Sequence, residues 1–183
     1  IRYPAEIFEP GNVAQYLSVV AGNLFGLRRL ASVRLLDAEF PGSLVPFAGP
    51  KFGIRGIRAI VGTTNRPHVG TIIKPKVGLT PRDTAEVAYQ AATGGVDLIK
   101  DDETLTDQAF CPLRERVPRV MEALGKVKEE TGRQVLYAVN VTTRADRIVE
   151  KAEEAISLGA NMVMVDVIIA GFGALQALGE ARR

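Results

Sequence analysis

The stretch TIIKPKVGLTPRDTAEVAYQAATGGVDLIKDDET, residues 71–104, decides how the rest of the chain is read. An apolar run ends in Lys74, Pro75 and Lys76. Thr80, Pro81 and Asp83 then supply a hydroxyl N-cap, a proline suited to the first helical position and an acid for the first turn. The segment they open closes at Gly94 and Gly95. A second apolar run, VDLI, ends in Lys100, Asp101, Asp102 and Glu103. Strand, helix and strand in that order form a unit whose two strands run parallel, joined by a right-handed crossover.

The unit repeats toward the C-terminus. VGTIIKPK (69–76), VDLIKDDE (96–103), QVLYAVNV (134–141) and MVMVDVII (162–169) are predicted strands. TPRDTAEVAYQAATGG (80–95), PLRERVPRVMEALGKVKEETG (112–132) and TRADRIVEKAEEAISLG (143–159) are predicted helices. Pro118 is an expected kink near the start of the second, Gly159 ends the third, and GFGALQALGEARR (171–183) begins a last one. The strands are almost continuously apolar, as parallel strands covered on both faces should be. No G-x-G-x-x-G follows the first strand, which disfavours a dinucleotide-binding fold. Polar residues gather at the strand C-terminal ends: Lys74 and Lys76, Lys100 to Glu103, Asn140, and Asp166. In a (β/α)8 barrel that end carries the chemistry. A complete barrel takes about 250 residues and about 115 remain from Val69 onward, so the expectation is half a barrel, about four βα units.

The first 65 or so residues are less regular. PGNVAQYLSVVAGNLFG (10–26) has helical spacing, with Asn12 as N-cap and Gly26 as stop; SVRLLDAEF (32–40) alternates like a strand; GPKFGIRGIRAIVG (49–62) is a short, glycine-interrupted helix. The 183 residues are 46% hydrophobic and 24% charged with a net charge of +2, the balance of a globular protein without the basic footprint of a nucleic-acid binder. No apolar run is long enough to span a membrane, and the start lacks a signal-peptide layout. The single cysteine, Cys111, excludes an internal disulfide and fits a reducing, cytoplasmic compartment. With the only histidine, His68, far off in sequence, both are expected to be structural.

Two clusters carry candidate chemistry. Lys74 and Lys76 are two apart on a predicted strand, so both face one way; they are either an anion-binding or proton-moving pair, or two solvated lysines. In LIKDDE, alternation puts Lys100 and Asp102 on one face, Glu103 at the ending pleat and Asp101 on the other side. Two carboxylates suit a hard cation such as magnesium. A protonated lysine cannot join them as a ligand, but a neutral amine that adds carbon dioxide becomes an anionic carbamate. The alternative is an ordinary lysine–carboxylate ion pair.

GTIIKPKVGL followed by GGVDLIKDDET resembles the large subunit of ribulose-1,5-bisphosphate carboxylase/oxygenase (RuBisCO). YPAEIFEPGNVAQYLSVVAGNLFG resembles the last part of that family's N-terminal domain, and MVDVIIAGFGAL its fourth barrel strand and following loop. Ile72, where plant enzymes carry threonine, brings the chain nearer to archaeal-type members. The resemblance implies an α/β fold, a partial (β/α)8 barrel over residues 61–183, preceded over 1–60 by the end of an α+β N-terminal domain. It implies Lys100 as the carbamylated lysine, with Asp102 and Glu103 completing a Mg2+ site. Lys74 would be the acid/base lysine, with Lys76 beside it supporting the carbamate and developing charge. Asn23 would reach into the active site of a partner subunit, making the working unit a homodimer or higher oligomer. The implied substrates are ribulose 1,5-bisphosphate with CO2 or O2, and the product of carboxylation is 3-phosphoglycerate. Two other functions stay open: a RuBisCO-like enolase of methionine salvage, and a non-catalytic chain that assembles with or regulates a full-length partner.

The family's fifth-strand histidine and arginine, its sixth-loop lysine and one phosphate-binding loop have no counterpart in these residues. The 183-residue chain by itself is therefore expected to lack carboxylase activity. Radiolabelled carbon dioxide fixation on ribulose 1,5-bisphosphate with magnesium checks this, and turnover by the purified chain is the contrary result.

Overall fold

The computed structural model describes residues 1–181 apart from 23, 46 and 48. Its centre is a four-stranded parallel sheet in the order β1-β2-β3-β4: Gly70–Ile72, Leu98–Lys100, Leu136–Asn140 and Met162–Met164. Thr71 lies opposite Ile99, Ile99 opposite Tyr137, and Val139 opposite Val163. The helices are α1 (Val13–Leu17), α2 (Gly53–Val61), α3 (Pro81–Thr93), α4 (Leu113–Thr131), α5 (Ile148–Ser157), α6 (Val167–Ala170) and α7 (Phe172–Glu180). Helices α3, α4 and α5 each join two adjacent strands, so order in space repeats order in sequence. This is a partial (β/α)8 barrel.

Local chemistry explains the helices. Thr80 accepts from the Asp83 amide at 3.2 Å while the Asp83 carboxylate accepts from the Thr80 amide at 3.1 Å, satisfying two otherwise orphan donors of α3. In α4, Leu113, Val117, Val120, Leu124 and Val127 recur every three or four residues and are all buried. Gly132 closes that helix at φ 71°, a left-handed conformation glycine adopts freely. Pro118 lies inside α4, which continues through it.

The core lies between the sheet and these helices. Ile99, Tyr137 and Val139 meet Ala88 and Ala92 of α3, Val117, Val120 and Leu124 of α4, and Ala152 and Ala155 of α5. The period of two sends their neighbours Leu98, Lys100, Leu136, Ala138 and Asn140 to the other, inner face. The N-terminal segment has its own aromatic cluster, with Tyr16 stacked on Phe40 at 5.3 Å between ring centroids and edge-on to Phe8. It joins the barrel at α7, where the Gln176 side chain accepts from the Val13 amide at 3.0 Å and donates to the Gly11 carbonyl.

Several predicted elements differ from those observed. The strands are shorter at their ends: the ladder of β1 stops after Ile73, whose amide reaches the Lys100 carbonyl at 3.1 Å, just before Pro75, which has no donor to offer. Lys74 and Lys76 therefore do not share a strand face. MVMVDVII is a strand only to Met164; amides of Ile169 and Ala170 bond back to the Asp166 carbonyl, turning Val167–Ala170 into α6 with Ile168 and Ile169 exposed. Residues 32–40 form no strand, since no described strand lies alongside to complete a ladder. The helix predicted over 10–26 is broken into α1, a wider turn at Ser18–Gly22 and a tighter one at Leu24–Gly26. Asn12 does cap α1, accepting from Gln15 at 3.0 Å. Among the described residues, no helix is long and apolar enough to cross a membrane.

At the N-terminal end of the sheet, buried Asp97 ties β2 to the segment before β1. Arg66 grips its carboxylate at 2.5 and 2.7 Å, and the Val69 amide donates at 2.9 Å. His68 sits at this same end, bonded through Nε2 to the Thr63 hydroxyl, a structural position far from the strand C-termini. The Arg66 guanidinium holds the Asp97 carboxyl down at about 2. Because the folded-state value is depressed, the stabilisation is complete above the unfolded carboxyl value near 4 and lost as pH falls toward 2. Asp97→Asn should lower stability by about 1–2 kcal/mol at neutral pH and flatten stability between pH 4 and 2, measured by urea unfolding across that range.

Candidate active site

The C-terminal ends of β1 and β2 bring four of the six predicted site residues together. Lys74, beyond β1, donates to Asp102 Oδ2. Lys100, the last residue of β2, bonds Glu103 Oε1 at 2.6 Å and the Asp101 carbonyl at 3.2 Å. Each carboxylate is thus covered by one ammonium group. Asp102 is almost fully buried while Glu103 is half exposed, so the pair runs from the inner face out to the rim.

The surroundings of Asp102 are built for an anion. Its second oxygen, Oδ1, accepts from the Thr104 amide at 2.9 Å and the Thr104 hydroxyl at 2.6 Å. The Lys74 ammonium first, and then Thr104, hold the Asp102 carboxyl well below the usual carboxylate range. The Lys100 ammonium lowers Glu103 in the same direction. Lys76, by contrast, is exposed and makes no hydrogen bond or ion pair with another described residue. Asn23 lies outside the described residues.

Three neighbours of this cluster are not singled out by the sequence pattern. Asn140 is a polar strand end in the sequence; its side-chain amide donates to the carbonyls of Asp102 at 3.2 Å and Glu103 at 2.9 Å, fastening the loop from β3. Arg116 and Tyr137 form a buried cluster around Asp101 on the opposite side of the sheet. A signal existed. Arg116 falls within the buried stripe Leu113–Val117–Val120 of α4, and an arginine there demands a carboxylate. Asp101 was the one carboxylate in the loop that alternation turned toward that helix.

As a metal site, the donor set has a specific shortfall. Among the described residues no three Asp, Glu, His or Cys side chains converge. Asp102 and Glu103 are two anionic ligands; a third would come from Lys100 only as a carbamate. The placement of Lys100 Nζ against Glu103 is compatible with that, so the residues fit a hard divalent cation on the chemistry of their donors.

Residues 53–183 match the family model described as ribulose bisphosphate carboxylase large chain, catalytic domain, and residues 1–44 match the N-terminal domain of the same chain. The chain belongs to the RuBisCO large-chain family. The ribulose bisphosphate carboxylase of Methanosarcina acetivorans is 44% identical over 99% of this chain. The octameric RuBisCO of Pyrococcus horikoshii superposes with a TM-score of 0.88 at 40% identity over 96% of this chain. A RuBisCO-like protein from Burkholderia fungorum superposes at 0.84 with 39% identity over 92%. The similarity to archaeal members agrees with the expectation from Ile72. The chain spans 43% of the length of the M. acetivorans protein and 42% of the P. horikoshii chain.

Asn140→Ala would remove the side-chain donor from the Glu103 carbonyl and leave the Asp102 carbonyl only the Leu105 amide. We expect a loss of about 1–3 kcal/mol in urea unfolding, with helix content by circular dichroism unchanged below the transition.

Proposed function

We propose that this chain supplies the metal-binding half of a ribulose 1,5-bisphosphate carboxylase/oxygenase active site. The observation that carries the proposal is the convergence of Lys74, Lys100, Asp102 and Glu103 at one end of a parallel half-barrel in a RuBisCO-family chain. Lys100 as its carbamate, with Asp102 and Glu103, would hold Mg2+. When bound, the cation supplies electrophilic polarisation of a ketone and its neighbouring hydroxyl.

The protein's own groups do the rest. Lys74 Nζ moves a proton to or from the substrate's enediolate and the later product carbanion, and its contact with Asp102 keeps it at the edge of the cation site. Lys76 acts beside it, its exposed ammonium free to meet developing negative charge. Asp102, held by its two Thr104 donors, stays anionic throughout the neutral range, so the ligand needs no deprotonation. The substrates in this reading are ribulose 1,5-bisphosphate with CO2 or O2, and carboxylation yields 3-phosphoglycerate. Residues 1–60 belong to the N-terminal domain and 61–183 to the barrel. Asn23 completes the site of a second subunit in a homodimer or larger assembly, which the octameric P. horikoshii relative supports by analogy. Buried, unpaired Cys111 suits a cytoplasmic setting.

A second reading, enolisation without carboxylation as in methionine salvage, is favoured by the likeness to the B. fungorum RuBisCO-like protein. The two share the metal site and differ in what they do with the enediolate.

The metal site is tested on the chain as it stands. With 13C-labelled carbon dioxide and Mg2+, a carbamate resonance should appear in the 13C spectrum, vanish in Lys100→Ala, and lose its Mg2+ dependence in Asp102→Asn. A wild-type spectrum without that resonance overturns the site. Carboxylation of ribulose 1,5-bisphosphate, measured on a preparation containing the rest of the barrel, then separates the first reading from the second.

A further inference from the structure

Asp101 is the one acid of the Lys100–Glu103 run that the proposed chemistry does not use, yet it is the most deeply buried of the three. Its side chain and that of Arg116 are both completely buried, on the face of the sheet opposite the site. Asp101 Oδ1 accepts from the Tyr137 hydroxyl at 2.5 Å. Oδ2 accepts from Arg116 Nη2 at 3.2 Å and from the Asn140 backbone amide at 3.0 Å. Burial pushes the Asp101 carboxyl up, and the guanidinium, hydroxyl and amide pull against it.

The connections are directional. The Asp101 amide still follows the sheet, donating to the Ala138 carbonyl at 3.1 Å, but β2 ends one residue earlier. In a continued parallel ladder the Asn140 amide would meet a main-chain carbonyl. Here it meets the Asp101 carboxylate, which frees the main chain to leave the sheet. Arg116 secures the far side of the same loop: Nη2 donates to the Thr106 carbonyl at 2.8 Å and Nη1 to the Cys111 carbonyl at 2.7 Å. Its Nε reaches the Tyr137 hydroxyl at 3.2 Å. One guanidinium on α4 therefore joins the start of the loop to both Thr106 and Cys111, and Asn140 fastens the middle from the other face.

We propose that Asp101, Arg116 and Tyr137 are a positioning unit that sets the backbone of residues 101–105, so that Asp102 and Glu103 are presented together on the inner face. A buried ion pair that merely filled the core could be exchanged for apolar side chains at little loss. This one satisfies loop carbonyls and a ladder amide that apolar side chains could not. Its effect on metal binding rests on the proposed Mg2+ site; its effect on the loop does not.

Tyr137→Phe removes one hydroxyl and keeps the ring. Hydrogen exchange followed by NMR reads the loop through the Thr104 and Leu105 amides, which bond Asp102, with α3 as internal control. We expect Thr104 and Leu105 to exchange about tenfold faster while α3 stays within twofold of wild type. Mn2+ binding under carbon dioxide, followed by electron paramagnetic resonance, should weaken by about 10- to 100-fold, the range typical of groups that orient metal ligands. Arg116→Lys, which keeps the charge but loses the fork, should show the same selective pattern. Tyr137→Phe alone decides the matter if Arg116→Lys does not fold. Unchanged loop exchange, or an equal rise throughout α3 and the loop, overturns the proposal. Faster loop exchange in a chain whose wild type binds no Mn2+ upholds the positioning unit and overturns the metal site instead.

Discussion

A guanidinium sealed from water needs acceptors on each of its nitrogens, and around Arg116 that requirement organises the loop end of the sheet. Its partners come from the residue just past β2, from the loop that follows it and from the hydroxyl of Tyr137 on β3. An unpaired charge at such a depth would cost far more than any nearby packing contact returns. One side chain therefore ties α4, β3 and the loop to one another. The loop that carries Asp102 and Glu103 inherits its shape from contacts made on the opposite side of the sheet.

The sheet itself separates the apolar core from the polar cluster. Positions of one parity, among them Ile99, Tyr137, Val139 and Val141, face the helices and form the core; those of the other parity face inward and lead to Lys100, Asp102 and Asn140. Because the strands run parallel, their C-terminal ends fall at one end of the barrel, and so do their polar residues. Two ammonium groups set against two carboxylates keep that cluster balanced in charge. The opposite end has a different task, with Asp97 and Arg66 closing the bottom of β2.

Much of the fold could be read from local pattern. The Thr80–Pro81–Asp83 cap, the stripe in α4 and the apolar runs of the strands are all short-range signals, and each element exists where they place it. The failures have one origin. Val167–Ala170 is rich in strand-forming residues and is nevertheless helical, because β3 pairs with β4 only as far as Met164. Residues 32–40 alternate like a strand and have nothing to pair with among the described residues. In the site, the division of Lys100 and Asp102 from Asp101 followed from alternation, whereas the separation of Lys74 from Lys76 did not, since it depends on where the ladder of β1 ends.

The sequence by itself determined the parallel half-barrel and the end at which its polar residues collect, Lys100, Asp102 and Glu103 among them, because periodicity and capping act over a few residues. Only the tertiary structure decided which groups meet. That Lys74 faces Asp102, that Asn140 holds the carbonyls of Asp102 and Glu103, and that Arg116 answers Asp101 are contacts between residues 15 to 38 positions apart. Such contacts depend on strand register and helix packing, which no short window of sequence contains.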